Sequence, residues 1–85
     1  MLSRFRFLGL MRRMRQIDFN RPGNECFSCG HRTYMLKGSM TEDVCPWCAL
    51  VRILEPLLLP IEVLEEIFGK VTELVKVEQK GKLKL

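Results

Sequence analysis

No run of this sequence is apolar enough to span a membrane. The longest apolar stretches, 49–54 and 57–64, are broken by Arg52, Glu55, Pro56, Pro60 and Glu62, far short of the ~20 residues a spanning helix needs. Histidine and tryptophan occur once each, at His31 and Trp47. There are no paired carboxylates set for acid–base work, no nucleophile beside a base and no glycine-rich phosphate loop. The pattern therefore argues against an enzyme. Low-complexity segments are also missing. The only internal echo is a Cys-x-x-Cys pair that occurs twice.

A chain of 85 residues allows one compact domain with arms. Below roughly 70–80 residues a core usually needs a metal, disulfides or a partner to hold it. The four cysteines can supply such a staple.

Acid is absent from residues 1–16, where Arg4, Arg6, Arg12, Arg13 and Arg15 give +5. Residues 76–85 carry +3, from Lys76, Lys80, Lys82 and Lys84 against Glu78, and 17–75 carry −4. The protein reads as a mildly acidic body with two basic ends, a distribution suited to a polyanion. The opening segment, acid-free and arginine-rich with Ser3, shares features with a mitochondrial transit peptide. It is read here as a working arm. Its apolar stretch Phe7–Met11 is too short for a secretory signal, which points to a cytoplasmic protein.

The spacing predicts a basic helix over 3–17, with Phe7, Leu10, Met11, Met14 and Ile17 on one side. It is too short to be stable alone, so it should order against the body or a partner. Residues 18–24, with Pro22-Gly23, read as a loop linking arm to body. A hairpin is expected over 31–44, turning at Gly38-Ser39. Pro46 suits the first position of a helix, with Leu50, Ile53, Leu54, Leu57 and Leu58 following at helical spacing and Pro56 ending or kinking it. A second helix is expected over 60–77. Val63, Leu64, Ile67, Phe68, Val71, Leu74 and Val75 lie on its apolar side. Residues 79–85 read as a basic tail broken at Gly81. The domain division is then 1–20 as a basic arm, 24–78 as the stapled domain (25–55 its metal module) and 79–85 as the tail.

Cys26-x-x-Cys29, fifteen residues and Cys45-x-x-Cys48 form the spacing of a zinc site with paired knuckles. Two thiolates two residues apart grip one ion from a single turn. Two such pairs complete a tetrahedron and leave no open position to activate water. The expected cofactor is one structural Zn2+. Two disulfides would suit a secreted protein. A redox Cys-x-x-Cys would need a thioredoxin-like βαβ body. An iron–sulfur cluster also takes four cysteines. His31 is read as a solvent-facing strand residue rather than a fifth ligand, and Trp47 as a shield for the metal site.

The knuckle Cys26–Gly30, the hairpin and Cys45-Pro46-Trp47-Cys48 resemble small zinc-ribbon and treble-clef modules. The resemblance implies a small metal-stapled α+β fold. A knuckle and short hairpin would be followed by two C-terminal helices and preceded by the basic helical arm. A helix beginning at the second cysteine pair favours the treble-clef version. Modules of this kind recur in ribosomal, transcription and RNA-processing assemblies, which implies a role in a ribonucleoprotein, foremost a ribosomal protein binding rRNA. Residues 24–55 are net −1, so RNA contact is assigned to the ends: Arg4, Arg6, Arg12, Arg13, Arg15, Lys80, Lys82 and Lys84. The face Leu64, Ile67, Phe68, Val71, Leu74 and Val75 either closes the core or docks a partner, including a second copy. The second reading makes the chain a zinc-stabilised protein adaptor without nucleic acid. A membrane-surface role for the basic arm is a weaker third. No small-molecule substrate is expected.

Overall fold

The computed structural model describes residues 3–83, a small α+β fold of three α-helices around a three-stranded antiparallel sheet. Helix α1 (Arg4–Arg15) is capped by Ser3, whose hydroxyl accepts the Arg6 amide at 3.1 Å. Arg12, Arg13 and Arg15 fall in its last turn, where cations suit the helix dipole. The inner side of α1 is fully engaged: Leu10, Met11 and Met14, with Ile17 just beyond the helix, are buried. Each such side chain contributes on the order of 1.5–3 kcal/mol through burial. Within the arm, residues 3–20 are thus distinct from the body in charge but packed onto it.

Strand β1 (Ile17–Glu25) follows at once, pairing with β2 (Arg32–Leu36), which in turn pairs with β3 (Asp43–Val44). The expected loop at 18–24 is a strand. Its ladder to β2 steps from Asp18↔Met35 to Pro22↔Tyr34 and then to Glu25↔Arg32. The proline and glycine fall where the register slips, which is where a strand tolerates them. The Arg21 guanidinium holds the bulge, donating to the carbonyls of Leu36 (2.8 Å) and Ser39 (2.9 Å) and to Asp18 (2.9 Å). At Gly23 the backbone passes so close to Thr33 that a Cβ would sit 2.6 Å from its Oγ1.

Helix α2 (Pro46–Leu54) buries Pro46, Leu50 and Leu54. A single 3-10 turn at Glu55–Leu57 ends it, as Pro56 dictates. Leu58 then takes a left-handed conformation (φ 51°, ψ 43°), and the carbonyl of Pro60 accepts the Val63 and Leu64 amides as α3 begins. Helix α3 (Ile61–Leu83) is longer than the expected 60–77. The tail predicted at 79–85 is helical through Leu83. The cause is tertiary: the buried Gln79 amide donates to the Ile17 carbonyl (2.6 Å) and accepts the Phe19 amide (2.9 Å), fixing α3 to β1.

The core is shared by all three helices. Leu10, Met11, Met14 and Ile17 meet Leu50 and Leu54 of α2 and Val71 and Val75 of α3.

Candidate metal centre and basic faces

Cys26 and Cys29 lie in the turn between β1 and β2. The Cys26 amide donates to the His31 carbonyl (2.7 Å) and the Gly30 amide to the Cys26 carbonyl (2.9 Å). Gly30 sits at φ 78°, a conformation that glycine adopts without Cβ strain and that lets the turn close on itself. Cys45 is the N-cap of α2 and Cys48 lies one turn inside it. Strand β3 ends at Val44, so the hairpin delivers the second pair to the first.

The four sulfurs lie within 4.8 Å of one another. The Sγ separations are 3.3 Å for Cys29–Cys45 and 3.7 Å for both Cys26–Cys48 and Cys29–Cys48. A metal with four sulfurs at ~2.3 Å in a tetrahedron sets them ~3.8 Å apart. A disulfide would require ~2.05 Å, and all four cysteines are free. The quartet is positioned to hold one metal ion and fits a tetrahedral thiolate donor set.

Electrostatics lead the same way. The backbone amides of Ser28 and Cys29 draw the Cys26 thiol down to about 7. Burial and the neighbouring sulfurs push Cys48 up to about 12, and burial raises Cys45. Cys45 and Cys48 therefore need a cation beside them to ionise, and metal binding must expel their protons.

An aromatic trio flanks the quartet. The His31 ring stacks on Trp47 (centroids 5.1 Å apart, planes 16° apart), and Phe68 of α3 meets both edge-on, at 5.9 and 5.3 Å. His31 is exposed as expected, but it precedes β2 rather than lying in a strand, and its ring is engaged. The trio joins the knuckle, α2 and α3. No spacing rule finds it, since its members come from three separate segments. Trp47 and Val51 line a shallow cleft against Cys29 and Cys48. At the knuckle tip Phe27 is fully exposed.

The basic residues assigned to RNA divide three ways. Arg4, Arg12 and Arg13 are exposed on the outside of α1, and Lys80 is exposed on α3. Arg6 is half-buried and donates to the Ile53 carbonyl (3.2 Å). Arg15 forks onto Glu78 through two 3.0 Å bonds. Lys84 and the Lys82 side chain lie outside the described residues.

The apolar face of α3 also divides. Val71 and Val75 are buried, so as partner-binding residues they are corrected to core residues. Leu64, Ile67 and Phe68 are partly buried against that core. Leu74, half exposed, points away from it. A helix turning 100° per residue cannot keep seven apolar positions on one narrow stripe.

No family model matches this chain, and neither a curated protein nor a solved structure does. Among the described residues, no helix is long and apolar enough to cross a membrane.

Proposed function

We propose that the chain is a non-catalytic accessory subunit of a ribonucleoprotein, such as the ribosome, stapled by one structural Zn2+ and gripping RNA through α1. The four-thiolate tetrahedral donor set supports zinc as the ion. Four sulfurs fill that shell, and the ion's role is to join the knuckle to the start of α2. A helix entering directly from the second cysteine pair supports a treble-clef rather than a ribbon arrangement. Thiolate ligands suit a reducing compartment such as the cytoplasm.

One observation carries the RNA reading. Helix α1 has no acidic residue and its apolar side is locked into the core, so Arg4, Arg12 and Arg13 stand exposed on a rigid support. Arginine both forks onto phosphate and stacks on bases. Holding it on a packed helix lowers the ordering cost of binding. The acids of α3, Glu62, Glu65 and Glu66, are exposed elsewhere and would orient the body by repelling phosphate.

The test is a titration of zinc-loaded protein into a fluorescent structured RNA at several salt concentrations. Changing Arg12→Gln together with Arg13→Gln should lower affinity at least about ten-fold and reduce the salt slope by about two. Unchanged affinity and slope would sink the RNA reading.

A further inference from the structure

A groove stands apart from both the metal centre and the exposed arginines of α1. Between β1 and the C-terminal half of α3 lies a cleft of about 560 Å3, floored by Phe19, Tyr34 and Gly69 and edged by Glu73, Lys76 and Lys80. Its volume is in the range of small-ligand sites.

Three features converge there. The first is aromatic surface: the Phe19 and Tyr34 rings lie 4.8 Å apart, tilted by 53°. The second is cationic charge: Lys76 and Lys80 are one helical turn apart on α3, and the Lys76 ammonium stands 5.6 Å from the Phe19 ring centroid. The third is unspent polar capacity. The hydroxyl of Tyr34, the carboxylate of Glu73 and the Lys80 ammonium carry no hydrogen bond or ion pair among the described residues. Gln79, by contrast, spends both ends of its amide on β1. Gly69 lines the groove, and a side chain there would find open space, since a Cβ would meet nothing within 4 Å.

We infer that this groove binds a nucleotide, its base stacked on Phe19 with the tilted Tyr34 ring beside it, and its phosphate held by Lys76 and Lys80. A planar π-system and an anion a few ångströms apart are what this pairing of aromatic rings and ammonium groups complements. A phosphate draws the Lys76 ammonium to itself and uncovers the Phe19 face for the base. Glu73 supplies an acceptor for exocyclic or ring N–H groups of the base. Purely aliphatic ligands leave both lysines and Glu73 unmatched. The nucleotide is either free or part of a single strand. In the second case the inference rests on the ribonucleoprotein reading but uses a different face from α1.

The experiment uses the zinc-loaded full chain and two probes, AMP and a short single-stranded oligoadenylate, followed by amide and aromatic NMR shifts. Expected are shifts centred on Phe19, Tyr34, Gly69 and Lys76. Binding of AMP alone at comparable affinity identifies a free nucleotide, whereas binding of the oligomer far above AMP identifies a strand. Gly69→Leu fills the groove while replacing a helix-weakening glycine, so the variant should fold at least as well. It should lose ten-fold or more in affinity, as should Lys76→Glu. Shifts confined to α1, or Gly69→Leu binding as well as the parent, would overturn the groove. Those results leave the Arg12 and Arg13 test of the RNA reading untouched, so the two ideas fail separately.

Discussion

Replacing Gln79 by leucine should cost this small protein a large part of its stability. Gln79 is 7% exposed and satisfies two backbone groups of β1, donating to the Ile17 carbonyl at 2.6 Å and accepting from the Phe19 amide at 2.9 Å. Leucine fills nearly the same volume but strands both groups away from water. Each orphaned group costs about 1–3 kcal/mol. The added apolar burial returns about 1 kcal/mol, leaving a net loss of about 1–5 kcal/mol. For a domain of this size that lowers Tm by roughly 4–40 °C. Gln79→Ala leaves room for water and should cost less, about 1–2 kcal/mol. The assay is thermal unfolding at fixed, saturating zinc, with hydrogen exchange at the Phe19 amide as a local reporter. That amide should lose protection in both variants. If Gln79→Leu unfolds within a degree or two of the parent, the claim that this side chain fixes α3 to the sheet is wrong.

Other outcomes follow from the same geometry. Gly23→Ala pushes a Cβ to 2.6 Å from Thr33 Oγ1, an atom held by the Asn24 carbonyl (2.7 Å) and Asp43 (2.9 Å). It should cost about 1–3 kcal/mol, and much less in a Thr33→Ala background, by denaturant unfolding. Zinc loading near neutral pH should release protons, since Cys48 is held up at about 12 and Cys45 is also raised. Binding calorimetry in buffers of different ionisation enthalpy counts them. The sign is fixed: protons compete with metal for the sulfurs, so affinity rises with pH and acid strips the ion. An affinity that fell with rising pH would exclude thiolate ligation.

Much of the site was legible because its determinants are local. The two cysteine pairs, the glycine after the first and the proline inside the second each act within a few residues, and α2 starts where Pro46 places it. The apolar wheel of 60–77 likewise announced α3. The misses are tertiary. The segment DFNRPGN shows no alternation, and only its pairing with β2 across two register slips makes it a strand. Gly81 looks like a breaker in the sequence, yet α3 runs past it because Gln79, a polar residue with no local reason to be buried, is bonded to β1. The arginines of α1 look equivalent in sequence. Only the packed structure separates Arg6, turned to the Ile53 carbonyl, and Arg15, forked on Glu78, from the exposed Arg4, Arg12 and Arg13.

The central claim is that a closed four-sulfur metal site holds this body together. Its most direct test is metal content by native mass spectrometry, paired with circular dichroism before and after a strong chelator. One zinc per chain is expected, and removing it should collapse the fold, because a structural zinc site contributes on the order of 10 kcal/mol. Cys45→Ser should behave like the chelated protein. A chain that keeps its helices and its thermal transition with no metal bound would contradict the account.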